Sequence, residues 1–436
     1  MNTGNRRIQE LEGELAELRR RSGEGPEVVE AEQRLAGLPE IAGAEFAAVA
    51  AGVRYSGRLD VMLAGLVPGT RFAGVFTQSS TRAAPVLDCE RKLRAAARAG
   101  ETEGLAIIVN SGNANCFTGK DGGDSVRQIA GAVATCLDLP EDRVLTASTG
   151  VIGEALSSGR IVNSVAELAR CLSGGGLGDA ARAIMTTDTF PKSASARFEV
   201  GGETVTIAGI AKGSGMIAPN MATMLAFLFT DAKISQPLLQ AVTAEANAAT
   251  FNAMTVDGDT STNDTVIVAA TGKAGHPEFN GQDEAAGFTA ALRRVMVSLA
   301  EQIARDGEGA TKLVYVEVGG AESDDEAMAA AKAVANSPLV KTAVAGEDPN
   351  WGRVVMAVGN SGAKLAQERL SIWLGDQLVA ENGCVAEAYS EAAAAAHMRE
   401  SEVRITVDLG IGQGHARVTS CDLTHGYIAI NADYRS

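Results

Sequence analysis

The glycine-rich stretch Lys212-Gly213-Ser214-Gly215 runs through Pro219 straight into the predominantly apolar run 222–229. Glycine and proline deny the chain a helix across that junction. An apolar run this short, bounded this way, reads as a buried strand fed by a tight turn, and it is far too short to cross a bilayer. Further β-like runs at 73–76, 105–109, 144–146, 265–270, 313–318, 403–409 and 427–430 alternate with helical stretches. Those stretches, mostly Ala-rich, lie at 126–137, 162–172, 237–248, 284–303 and 326–334. The alternation predicts a mixed α/β fold, and the lack of a fixed short period excludes solenoids and propellers.

The chain has 436 residues, 46% of them hydrophobic, enough to bury two cores. Its 54 acidic residues against 38 basic ones give a formal charge of −16. General binding to nucleic acid or an anionic membrane needs a basic face that displaces counterions, so neither is expected as a partner. The N-terminal stretch has no apolar core of a secretory signal, and Glu10, Glu12 and Glu14 do not suit an acid-poor transit peptide. A cytoplasmic protein working on small molecules is the expectation.

Six cysteines without a C-x-x-C pair and four histidines without ligand spacing predict neither a disulfide scaffold nor a metal site. Asp257-Gly258-Asp259 opens like a calcium loop but places Thr262 and Val268 where such a loop needs Gly and Glu. Gly213, Gly215 and Ala218 imitate a dinucleotide fingerprint, yet Pro219 and a strand follow where a helix must open. Asn110, Asn113 and Asn115, interleaved with Ser111 and Gly112, read as a turn shaped by local side-chain hydrogen bonds.

At the N-terminus Ile8, Leu11, Leu15 and Leu18 form one apolar seam in a helix over 6–21, too short to hold a coiled coil alone. Arg21-Ser22-Gly23-Glu24-Gly25-Pro26 breaks it, and a second charged stretch follows. Residues 1–40 are therefore expected to be a charged helical appendage, either a solvated helix or an oligomer contact.

The block 212–225 resembles, without a gap, the self-cleavage and catalytic segment K-G-x-G-M-I-x-P-[DN]-M-A-T-M-L of the ornithine acetyltransferase family, also called bifunctional glutamate N-acetyltransferase. Blocks at 110–115, 148–153, 186–189, 256–264, 306–312 and 431–436 match in the family's order, and only about residues 1–40 fall outside. The resemblance implies a mixed α+β, layered α-β-β-α sandwich. It implies autoproteolysis at Ala222-Thr223, which gives an alpha chain over 41–222 behind the appendage and a beta chain over 223–436. Two copies of each are expected to assemble as a heterotetramer.

The implied activity is acetyl transfer from N2-acetyl-L-ornithine to L-glutamate in arginine biosynthesis, through an ester on Thr223. Thr149 and Gly150 are the implied oxyanion donors. Thr187 or Thr189, Lys212, Thr223, Glu308, Asn431 and Ser436 are the implied substrate contacts. No cofactor is implied; acetyl-CoA is a co-substrate in some members, and the residues leave open whether it serves here.

The residue chemistry supports this independently at Thr223. A threonine hydroxyl is a poor nucleophile without a base, and no His or Cys stands near it in sequence. Once N-terminal, its own α-amine, with an ordinary pKa of about 7.7–8.0, can take the hydroxyl proton. Lys212 suits a carboxylate as a point charge, Glu308 suits an ornithine ammonium, and Asn431 suits an amide or carboxylate. Two rivals stand beside this: an N-terminal-threonine amidase or aminopeptidase in which water resolves the acyl-enzyme, and a non-catalytic amino-acid-binding protein.

Overall fold

The computed structural model describes residues 26–96, 103–218 and 224–433. The seam helix expected over 6–21 and the residues Ala222, Thr223 and Ser436 lie outside the described residues. In chain order the first strands are β1 (Ala44–Val49), β2 (Val61–Leu66), β3 (Arg71–Phe76), β4 (Leu105–Asn110), β5 (Val144–Ser148), β6 (Lys192–Val200), β7 (Glu203–Lys212) and β8 (Leu225–Thr230). They continue as β9 (Thr265–Ala270), β10 (Leu313–Ala321), β11 (Ser371–Leu374), β12 (Gln377–Glu381), β13 (Cys384–Val385), β14 (Glu402–Asp408) and β15 (Gly414–Cys421). Three sheets result, in the orders β1-β2-β4-β5, β3-β9-β8-β7-β6 and β13-β12-β11-β14-β10-β15.

The first two sheets stack face to face. Every residue of β4, β8 and β9 is buried, as expected of strands covered on both sides. Met62, Ile107 and Val109 of the first sheet share a core with Ile210, Phe227 and Ile267 of the second, where the rings of Phe46 and Phe229 meet edge-on with centroids 4.7 Å apart. The alternate residues turn outward: Leu63, Ile108 and Val144 pack on the helices Gly119–Leu137 and Ser158–Cys171. On the far side, Ile207, Leu228 and Val266 pack on the helices Gln236–Ala248 and Ala286–Arg305. The period-2 alternation of the strands thus builds the expected α-β-β-α layering. Among the described residues, no helix is long and apolar enough to cross a membrane.

Three elements depart from the sequence reading. The sheet β10 to β15 has a core of its own, closed by helices such as Asp324–Ala335 and Trp351–Gly359. The helix Pro26–Ala36 is docked rather than solvated, because Ala31 and Leu35 are buried and Arg182 pairs with Glu32 at 2.5 Å. Finally 427–430, expected as a strand from its β-branched content, belongs to the helix His425–Asp433. Ile428 there is 65% exposed, and a helix satisfies its backbone groups internally. The helix start is fixed by Thr424, whose hydroxyl donates to the Gly309 carbonyl at 2.6 Å and accepts the Gly426 amide at 3.0 Å.

Candidate active site

β4 and β5 run parallel, so their C-terminal ends meet at one edge of the first sheet. There the asparagine-rich turn is stitched as expected: Asn110 Nδ2 donates to the Asn113 carbonyl (2.9 Å), and Asn113 Oδ1 accepts the Asn115 amide (2.8 Å). Thr149 follows β5, is buried, and donates its amide to the Asn110 carbonyl at 3.1 Å. Gly150 has φ +128°, and a Cβ on it would lie 2.3 Å from the Gly112 carbonyl carbon, so only glycine fits against this turn. The Gly150 amide finds no acceptor among the described residues.

The second sheet delivers Lys212 to the same edge at the end of β7, opposite Leu225 of β8. Its Nζ is buried and donates to Thr149 Oγ1 at 3.2 Å, a contact that joins the two sheets. Because the ammonium occupies a lone pair of that hydroxyl, the Thr149 O–H remains free to donate elsewhere. Burial pushes Lys212 below the ordinary lysine pKa; Asp188 opposes this and Lys192 adds to it. A hydroxyl, an unengaged amide and a buried ammonium are thus gathered where an oxyanion could be held.

Glu308 and Asn431 come together from distant sequence: Asn431 Nδ2 donates to Glu308 Oε2 at 2.7 Å. The Glu308 amide donates to the Ser214 carbonyl (2.8 Å), and its carboxylate lies over Gly215, where a Cβ would approach within 2.3 Å. Thr187 shares a hydrogen bond with Ser214 Oγ at 2.6 Å, while the Thr189 hydroxyl and amide are both engaged by Asp306. Thr187 therefore faces the Lys212 loop and Thr189 is committed to an acidic partner. Among the described residues no group of three or more His, Cys, Asp or Glu side chains could hold a metal.

Beneath this loop lies an ion cluster the sequence reading did not find. Lys192, fully buried, bonds Asp188 and Asp306 at 2.6 Å each, and Asp188 also accepts the Gly213 amide (2.7 Å) and the Thr186 amide (2.9 Å). Burial alone would raise the Asp188 carboxyl, but Lys192 and Lys212 pull it below the ordinary carboxylate range. Burial holds Asp306 above its ordinary value, although Lys192 counters it. The cluster ties 186–192, 213 and 306 into one unit. Lys192→Met leaves two buried carboxyls without their cation and is expected to cost about 3–5 kcal/mol of unfolding free energy, measured by urea titration.

Comparison with known proteins completes the picture. The ArgJ family model matches residues 45–436. The arginine biosynthesis bifunctional protein ArgJ of Ruegeria pomeroyi is 56% identical over 400 residues, covering 92% of this chain and 96% of the relative. That of Gluconobacter oxydans is 52% identical over 401 residues, covering 92% and 93%. A crystal structure of the Bacillus halodurans ArgJ protein aligns with TM-score 0.46 and 44% identity, over 48% of this chain and 98% of that one.

Proposed function

The chain belongs to the ArgJ family, and from that premise we propose that it is a glutamate N-acetyltransferase of arginine biosynthesis that moves acetyl from N2-acetyl-L-ornithine to L-glutamate. The observation that carries the site assignment is the contact between Lys212 Nζ and Thr149 Oγ1 beside the Gly150 amide, which has no acceptor among the described residues; Lys212 opens the sequence block that contains Ala222-Thr223.

Maturation comes first. Thr223 Oγ attacks the Ala222 carbonyl, the acyl group moves from nitrogen to oxygen and so frees the Thr223 α-amine, and water hydrolyses the ester to release the Ala222 carboxylate and the Thr223 hydroxyl. In turnover that amine takes the Thr223 hydroxyl proton while Oγ attacks the acetyl carbonyl of acetylornithine. The proton then passes to the departing ornithine nitrogen, and the acetyl remains as an ester on Thr223. The amine of glutamate attacks that ester, acetylglutamate leaves, and Thr223 recovers its proton. Each attack places negative charge on a carbonyl oxygen, and Thr149 and Gly150 are the donors assigned to it in this reading, with the Lys212–Thr149 contact in support.

Lys212, Thr187 and Ser436 suit the α-carboxylate and acetamide common to both substrates. Glu308 suits the ornithine ammonium, and the hydrogen bond from Asn431 ties the terminal helix to it. A covalent ester makes a metal or nucleotide cofactor unnecessary. The two fragments remain together, two of each to an assembly, in the cytoplasm. Incubating the protein with acetylornithine separates this reading from a hydrolase: acetylglutamate formed only when glutamate is present supports it, and acetate released at the same rate with or without glutamate refutes it.

A further inference from the structure

The block 256–264, which opens like a calcium loop, does something else. On the upstream side of 219–223, Asp257 accepts the Met216 amide (2.6 Å) and the Ile217 amide (2.7 Å), and the Ile217 carbonyl accepts the Val256 amide at 2.7 Å. Met216 is held at φ +57°, which few non-glycine residues adopt. On the downstream side, the Met224 amide donates to Asp264 Oδ1 at 3.0 Å, and the Met224 carbonyl accepts the Thr265 amide at 3.2 Å. The residue beside Asp264 reaches the other half of the site: Asn263 Nδ2 donates to the Ser148 carbonyl at 2.8 Å.

Two consecutive residues therefore hold the atom group just before Thr149 and the atom group just after Thr223. The Met224 nitrogen is covalently bonded to the carbonyl carbon of residue 223, so fixing that amide fixes the Thr223 Cα to within about 2.4 Å of it. We propose that Asn263 and Asp264 are positioning residues that set the nucleophile against the oxyanion donors, while Asp257 holds the other side of the scissile bond. This rests on the acetyl-transfer reading and adds to it a reason why the new N-terminus stays in place once the chain is cut: its anchor is downstream of the cleaved bond. Asp264 is fully buried, with the Thr77 side chain beside its carboxyl. Burial pushes its carboxyl well above the ordinary range, toward the uncharged form that asparagine imitates.

The test compares Asp264→Ala, Asp264→Asn and Asp257→Ala with wild type, following the rate of cleavage at Ala222-Thr223 and the kcat and KM of transfer. Asp264→Ala is expected to slow both cleavage and kcat by about 10²-fold, the cost of a small misplacement of a reacting group, with little change in KM. Asp264→Asn, which keeps an oxygen for the Met224 amide, is expected to restore both to within about tenfold of wild type. In Asp257→Ala the loss should fall on cleavage more than on transfer by the fragments that do form. Asp264→Ala that is cut and active like wild type overturns the proposal. So does Asp264→Asn that folds, by circular dichroism, but is about 10³-fold impaired, whether or not the alanine variant folds. A wild type that is itself uncut removes the acetyl-transfer reading and the positioning role together, whereas a failure confined to the variants removes only the latter.

Discussion

Thr223→Ala is expected to remain a single chain of 436 residues and to lose acetyl transfer altogether. Both consequences follow from one missing oxygen. Without Oγ there is nothing to attack the Ala222 carbonyl, so the Thr223–amine base is never released; without Oγ there is also no acceptor for the acetyl group. Loss of a covalent nucleophile costs about 10⁴–10⁶-fold in kcat, and here the base is lost with it. A gel separates cut from uncut chain, and a coupled assay of acetylglutamate reads transfer. Thr223→Ser, which keeps a hydroxyl and an α-amine, is expected to be cut and to retain measurable transfer. Cleavage that persisted in Thr223→Ala would place the nucleophile elsewhere.

Thr149→Ala is expected to slow maturation and transfer together by about 10²–10³-fold, the usual cost of one oxyanion donor. The joint effect is the informative part, because the same donor serves the peptide carbonyl during cleavage and the acetyl carbonyl during turnover. The variant also removes the hydroxyl that accepts from the buried Lys212 ammonium, so a fall in thermal stability should accompany the slower chemistry. The KM for acetylornithine should move little. Normal kcat with a raised KM would instead make Thr149 a ground-state contact.

Much of the layered core was legible because apolar runs with sharp ends leave little choice. The run at 265–270 is β9 to the residue, and 105–109 and 144–146 fall inside β4 and β5. The long hairpin of β6 and β7 was missed, although Gly201-Gly202 at its turn, both with positive φ, is the residue pair a tight hairpin favours. The terminal helix was misread because Tyr427, Ile428 and Ile430 have strand propensity, while the deciding contacts, Thr424 with Gly309 and Asn431 with Glu308, span more than 100 residues of chain.

The site shows the same division. Thr149, Gly150, Lys212, Glu308 and Asn431 were nameable from motif blocks and are brought together by the fold. The engagement of Thr189 by Asp306 and the burial of Lys192 between two carboxylates were not, since in sequence each is an ordinary polar residue with nothing to mark its partner. Asp257 and Asp264 were visible only as members of the block 256–264, with no role to assign, because a carboxylate that accepts backbone amides carries no sequence signature of its own.

The measurement closest to the central claim is the intact mass of the purified protein after brief exposure to N2-acetylornithine without glutamate, with fragment mapping of the modified peptide. Two polypeptides, 1–222 and 223–436, are expected, with one acetyl group on the peptide that begins at Thr223. Adding glutamate should remove that acetyl as acetylglutamate appears. A fragment 223–436 that never carries acetyl while acetylglutamate still accumulates would contradict the covalent mechanism. An acetyl found on any residue other than Thr223, and discharged by glutamate, would contradict the assignment of the nucleophile.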